Sequence, residues 1–198
     1  IPLRLVGSEM CIRDRITPNK KKQKTKILAV VGSVNANTTA QMEELWLSQR
    51  THNEFVHTRE LLEGEKRREL EIRRVVNSIL GECDRNNIST VTGDGIYPEN
   101  RIDFTPYMER YQCSLDEVTE MINSGFAEIT YRIFKAEDTF KGLYTSGGDI
   151  TVAVCKKFDT AGLSLLDEVL PLAAYGQFLK GEFEGVHTVS YTHLRAHE

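Results

Sequence analysis

Gly142-Leu-Tyr-Thr-Ser-Gly-Gly-Asp-Ile-Thr-Val-Ala-Val-Cys155 is an apolar run that halts at paired glycines and resumes at once with helical periodicity. Such a pair lets the backbone take positive φ and approach a ligand closely. The first amides of the following helix then point outward, unpaired and backed by the helix dipole. The stretch therefore reads as strand, loop and helix, with the chemistry of an anion site. Asp149 stands where a capping side chain would, and Ile150, Ala153, Val154 and Phe158 recur on one helical face. Taken alone, the motif fits a plain topological turn as well as a phosphate cradle.

The pattern has an earlier counterpart. Lys26-Ile-Leu-Ala-Val-Val31 is an unbroken apolar run suited to a parallel strand covered on both faces, and it ends at Gly32-Ser33. Beyond Val34-Asn35-Ala36-Asn37, Met42, Leu45 and Trp46 predict a helix over Thr38 to Gln49, with Asn37 or Thr38 as its cap. Between these two units, Phe55 to Thr58 reads as a short strand. Gly64 to Cys83 reads as a long helix with Leu70, Val75, Ile79 and Leu80 inward and a Glu/Arg-rich outer face. Ile88 to Thr92 is a β-branched strand closing at Gly93-Asp94-Gly95, where Asp94 reads as a turn residue. Pro98 and Pro106 bracket a turn-rich insertion. Ser114-Leu-Asp-Glu117 has capping-box spacing and opens a helix carrying Leu115, Val118, Ile122, Phe126, Ile129 and Ile133 toward Thr139. Leu163 to Leu170 reads as a later strand, and Gly176, Gly181 and Gly185 punctuate the remainder. Alternating strands and helices predict an α/β fold: a three-layer domain with a mainly parallel sheet, whose ligand loops lie at the C-terminal ends of the strands.

Composition narrows the function classes. The chain of 198 residues is 40% hydrophobic and 27% charged, an ordinary balance for a globular domain, and no apolar stretch approaches a membrane span. A net charge of −4 gives no electrostatic reason to expect nucleic acid, and the basic run Lys20 to Lys26 reads as a solvated linker. Cys83, Cys113 and Cys155 are widely spaced and lack any C-x-x-C, which fits a reducing cytoplasmic location. Cys155 reads as a small core residue rather than a low-pKa thiolate. His52 and His57 are too loosely spaced for a metal site and are expected at the surface.

The two ends share a hidden relationship. Leu5-Val-Gly-Ser-Glu-Met-Cys-Ile-Arg-Asp14 can be back-translated as CTC GTG GGC TCG GAG ATG TGT ATA AGA GAC, and the reverse complement of that string encodes Val189-Ser-Tyr-Thr-His-Leu-Arg-Ala-His-Glu198 residue for residue. Residues 1–15 and 189–198 are therefore expected to be translated sequencing adapter. Residues 16–188 are then the domain, expected to be incomplete at its C-terminus.

Taken together, the residues carry a family resemblance. Val31-Gly32-Ser33 followed by Thr38 and Gln41, and Ser146-Gly-Gly-Asp149 followed by Thr151 and Ala153, resemble in order and separation the two nucleotide loops of the four-carbon acid sugar kinase family, in its C-terminal nucleotide-binding domain. Glu168-Val-Leu-Pro171 with Gly176 resembles the connection beyond. The resemblance implies that Ser33 and Asn35 contact ATP from the first loop, and that Gly147, Gly148, Asp149 and Ile150 line the phosphates or adenosine. It implies ATP and Mg²⁺ as cofactors, with Asp149 acting on the metal through water or serving as helix cap. The implied reaction moves the γ-phosphoryl group to a hydroxyl of a four-carbon sugar acid of the threonate, erythronate or 3-oxo-tetronate type.

Other implications limit this chain. The sugar acid and catalytic base belong to an N-terminal domain, so the chain alone is expected to be inactive, and a third glycine-rich stretch would begin just past His187. Two positions depart from the family pattern: Ile150 stands where a hydroxyl residue is common, and Asn35 where a serine is common. These departures motivate an alternative, a non-catalytic nucleotide- or ligand-binding regulatory domain of the same fold. A dinucleotide-dependent oxidoreductase is disfavoured because no G-x-G-x-x-G follows the first strand.

Overall fold

The computed structural model describes residues 25–171 and 173–191. The stretch 1–15 and residues 192–198 of the terminal stretch, both read as adapter, lie outside the described residues. The described residues form a seven-stranded sheet flanked by helices. In chain order the elements are β1 (Lys26–Val31), α1 (Ala36–Ser48), β2 (Thr51–Val56), α2 (Thr58–Leu62), α3 (Glu65–Glu82), β3 (Ile88–Gly93), α4 (Thr105–Tyr111), α5 (Leu115–Ala136), β4 (Phe140–Ser146), α6 (Gly148–Lys157), β5 (Gly162–Leu170), β6 (Ala173–Leu179) and β7 (His187–Tyr191). Two 3₁₀ turns, Asp94–Ile96 and Pro98–Asn100, follow β3. β7 runs to Tyr191 and so takes in Val189, Ser190 and Tyr191.

The sheet order is β2-β3-β1-β4-β7-β6-β5. β2, β3, β1, β4 and β7 are mutually parallel, while β6 runs antiparallel to both β7 and β5. The expected α/β fold with a mainly parallel sheet is what the chain forms. The main core lies between one face of the sheet and α3, α5 and α6, and joins Leu28, Val30, Ile79, Phe126, Ile129, Ile133, Val154 and Phe158. A smaller cluster on the opposite face seats α1 through Val31, Met42 and Ile96, with Leu45, Trp46 and Phe55 packed against it. Helices on both faces leave the backbone polar groups of the central strands to pair with one another, as parallel sheets require.

Several boundaries differ from expectation for local reasons. α1 begins two residues early, because Asn35 rather than Asn37 or Thr38 caps it, its Oδ1 accepting the amide of Asn37 at 2.8 Å. The strand expected at Phe55 to Thr58 lies at Thr51–Val56, since Thr58 already opens α2. Leu70 and Leu115 point outward, 58% and 49% exposed; on α3 the buried face instead runs through Ile72, Val75, Val76 and Ile79. The capping box at Ser114 and Glu117 forms as read. The turn-rich insertion contains a helix, α4, with Pro106 in its first turn. β6 and β7 went unpredicted, being short strands whose pairing is fixed by neighbours distant in sequence.

Candidate functional site

Val31 pairs with Ser146 across β1 and β4, so Gly32 and Gly147 are the next residues on adjacent parallel strands. From that shared edge the chain departs in opposite directions. β1 leads through α1, on one face, toward β2; β4 leads through α6, on the other face, toward the β5 end of the sheet. A doubly wound sheet opens a crevice at such a divergence, outside the carboxyl ends of the strands. Both glycine loops sit there.

Each loop is braced differently. The Gly32 amide donates to the Ser146 carbonyl at 3.2 Å, extending the ladder by one step. Ser33 is half-buried, and its Oγ accepts from the Thr38 hydroxyl at 3.0 Å and the Asn35 amide at 3.4 Å. Asn35 is exposed, but its side-chain oxygen is committed to the α1 cap. Arg101 spans two loops, donating from Nη2 to the Val34 carbonyl at 2.8 Å and from Nε to the Gly95 carbonyl at 3.1 Å. Thr39 adds a bond to the Ile96 carbonyl at 3.2 Å.

On the second loop Gly147 adopts φ 113°, a conformation open to glycine, and a β-carbon there would stand 4.0 Å from the Ser33 amide nitrogen. Gly147 is the N-cap of α6 with no side-chain bond, so Asp149 does not cap this helix. Asp149 instead lies exposed in the first turn. The Gly147 amide donates to the Tyr191 carbonyl at 3.1 Å, and the Thr151 amide returns to the Gly147 carbonyl at 3.1 Å. The amides of Gly148, Asp149 and Ile150 have no acceptor within the helix, as in any first turn, and these are the donors the loop presents. The Ile150 side chain is 2% exposed and turned against Gly32. Of that residue only the backbone faces outward.

Thr151 holds the arrangement together, a role its sequence position did not reveal. Its Oγ1 lies 2.8 Å from Thr145 Oγ1, 2.9 Å from Ser190 Oγ and 3.1 Å from the Gly147 carbonyl, tying α6 to β4 and β7. Arg101 was equally hidden, lying in the insertion between Pro98 and Pro106. Asp94, just past the carboxyl end of β3, accepts the Thr58 amide at 3.1 Å and its hydroxyl at 2.7 Å, so its carboxylate serves the start of α2 and not the local turn expected of it. Burial pushes the Cys155 thiol up, consistent with a small packing residue. His52 is less exposed than expected, 22% at the side chain, with Nε2 at 2.9 Å from Ser78; His57 is exposed. No cluster of three or more His, Cys, Asp or Glu side chains suited to a metal occurs among the described residues. Among the described residues no helix is long and apolar enough to cross a membrane.

Comparison with known proteins places this geometry in a family. Residues 28–191 match the model of the nucleotide-binding C-terminal domain. The chain is 34% identical over 168 residues to a D-erythronate kinase of Heliobacterium modesticaldum, covering 83% of this chain and 37% of that kinase. Solved structures share the fold: a protein of Salmonella typhimurium described as a putative tRNA synthase (TM-score 0.62, 11% identity, 87% of this chain and 38% of that one) and one from Haemophilus influenzae (TM-score 0.61, 13% identity, 84% and 36%). A Bordetella bronchiseptica protein, a domain-swapped dimer with bound citrate, aligns at TM-score 0.58 and 17% identity over 85% of this chain and 37% of its own. Two loops diverging from neighbouring strands, and a sequence match running through both, make this chain a member of the nucleotide-binding C-terminal domain family of four-carbon acid sugar kinases.

Proposed function

We propose that this domain binds ATP at the crevice between β1 and β4, and that within a longer protein it presents the γ-phosphoryl group to a hydroxyl of a four-carbon sugar acid of the threonate, erythronate or 3-oxo-tetronate type. The observation that carries the reading is the register that sets Gly32-Ser33 beside Gly147-Gly148 at the divergence of the two strands. The α6 amides of Gly148, Asp149 and Ile150 hold phosphate oxygens, supported by the helix dipole. Ser33 and Asn35 border the other side, with Ser33 held toward Thr38.

The reaction is a displacement at phosphorus. The acceptor oxygen bonds to the γ-phosphorus, the bond to the β,γ-bridging oxygen breaks, ADP leaves, and the hydroxyl proton passes to a base supplied from outside this domain. What the domain contributes is position and charge neutralisation, the main requirements of phosphoryl transfer. Mg²⁺, when bound with the nucleotide, neutralises phosphate charge. The exposed Asp149 carboxylate, in the same first turn as those amides and without a partner in the described residues, would suit a water-mediated contact to it.

Titration calorimetry of the chain with ATP and Mg²⁺ tests the reading. Saturable binding that weakens about tenfold or more in Gly148→Asp, where a carboxylate faces the phosphates, is the expected result. Absence of binding, or binding indifferent to that substitution, would overturn it.

A further inference from the structure

Lys26 ends the basic run that reads as a solvated linker, yet it is the first residue of β1 and only 4% exposed. Its amide donates to the Thr139 carbonyl at 2.8 Å, and its side chain turns inward, where Nζ lies 3.4 Å from the Sγ of Cys83. Cys83 caps the carboxyl end of α3 and is buried as well, at 3% exposed. The two residues stand 57 positions apart in the chain. Tertiary packing alone brings this amine and this thiol together.

Two carboxylates complete the cluster. Asp84 accepts from Nζ at 3.2 Å while its own side chain is 93% exposed, so the amine lies just beneath the surface. Glu137, the C-cap of α5, divides its oxygens between two tasks. Oε1 accepts the Thr139 amide at 3.1 Å and its hydroxyl at 2.6 Å, whereas Oε2 stands 3.8 Å from Nζ and 3.9 Å from Sγ. Burial alone would lower the Lys26 pKa, but the bonds to Asp84 and Cys83 and the charge of Glu137 outweigh it and hold the group above its ordinary 10.5, as an ammonium. An ion pair with so exposed an aspartate returns little for ordering and burying a lysine. The distance between nitrogen and sulfur says more, because reacting atoms poised for bond formation stand about 3–3.5 Å apart.

We propose that Cys83 and Lys26 form a reversible sulfenamide cross-link when the domain meets hydrogen peroxide. The sulfur bonds to one peroxide oxygen, the O–O bond breaks, and the second oxygen leaves as water, so Cys83 becomes a sulfenic acid. Nζ then attacks that sulfur. The S–N bond forms as the S–O bond breaks, the hydroxyl leaves as a second water with one proton of the former ammonium, and Oε2 of Glu137 faces both atoms to receive the other. One thiol, one amine and one peroxide thus give one S–N bond and two waters, with sulfur oxidised and peroxide reduced by two electrons. An added thiol reverses the link by attacking the sulfur and releasing the amine. The bond ties the start of β1 to the end of α3, and it is independent of the ATP reading.

Peptide mapping by mass spectrometry after treatment with hydrogen peroxide, with and without later dithiothreitol, tests this. The expected product is a joined pair of peptides carrying Lys26 and Cys83, lighter than their sum by two hydrogen atoms and parted again by dithiothreitol. A cross-link constrains the unfolded chain, so the thermal midpoint is expected to rise by about 5 °C or more and to fall back on reduction. Lys26→Arg keeps a cation but removes the amine nucleophile; it is expected to lose both the joined peptides and the rise in midpoint, with Cys83 passing on to sulfinic acid. Sulfinic acid at Cys83 beside an unmodified Lys26 in the wild type overturns the proposal. So does a Cys83 that stays reduced while the less buried Cys113 and Cys155 are oxidised. A link that retains an oxygen atom between nitrogen and sulfur overturns the direct S–N bond, and a midpoint rise that persists in Lys26→Arg overturns the part given to the lysine.

Discussion

The Cγ1 atom of Ile150 lies 2.6 Å from the position a β-carbon on Gly32 would occupy. A residue on α6 is thus seated on the α-carbon that ends β1, and the two loops are fastened to each other through a contact only glycine permits. The Ile150 side chain is thus used in packing, while its backbone amide, in the first turn of α6, has no acceptor within the helix.

Gly32→Ala is expected to destabilise the domain by about 1–3 kcal/mol, the usual range for forcing a methyl group into a filled space. Ile150→Ala costs about 2–4 kcal/mol on its own, through the cavity it leaves. In the double variant the two losses are expected to be clearly less than additive, because removing the isoleucine branch makes room for the new methyl. Urea denaturation of the four proteins measures this. Strict additivity would show that the loops are not coupled through this contact.

Thr151→Val keeps the shape of the side chain and removes the hydroxyl shared by Thr145, Ser190 and the Gly147 carbonyl. Thr145 is 1% exposed, so its own hydroxyl loses a partner where water does not readily replace it. A loss of about 1–3 kcal/mol is expected, with Thr151→Ser recovering most of it. Equal stability of the valine and serine variants, read by thermal or urea melts, would refute a structural role for the hydroxyl.

Acid should weaken the β2–α3 junction. Glu71 is 4% exposed; its carboxylate accepts the His57 amide at 2.7 Å and the Arg74 guanidinium at 2.7 and 2.8 Å. Burial pushes this carboxyl up, but the bonds from Arg74 and His57 outweigh it, leaving it below its ordinary 4.5. A depressed folded-state pKa means stability present above the unfolded value and lost as pH falls through the folded one. Stability is expected to drop between about pH 5 and pH 3, and Glu71→Gln to lower neutral stability by about 1–2 kcal/mol while flattening that drop. Denaturation midpoints across this pH range decide it; an unaltered pH profile in Glu71→Gln would exclude this carboxylate as a source.

Local signals that depend on neighbours in sequence were readable before folding. The continuous apolar run at Lys26 to Val31 marks a strand buried in a parallel sheet, although Ile27 remains 44% exposed. The Ser114–Glu117 box marks a helix start because both partners lie within one turn. Exposed Leu70 and Leu115 mislead because helical spacing shows that a face is apolar without showing where that face ends. Asp149 was misread for a similar reason: a glycine with φ 113° already begins the helix one residue before its first turn, leaving the aspartate free.

Two glycine loops, their order, and their family were fixed by the chain itself, since backbone freedom and helix-start chemistry are properties of short segments. That the loops meet was decided by the sheet. Parallel pairing of Val31 with Ser146 joins residues on strands separated in sequence by two other strands and five helices, and no local pattern encodes that register. The same holds for the hydroxyl of Thr151, the guanidinium of Arg101 and the amine of Lys26 beside Cys83. Each acquires its meaning from groups brought near by long-range packing, which buries apolar surface first and sets polar partners only as a consequence of where the strands come to rest.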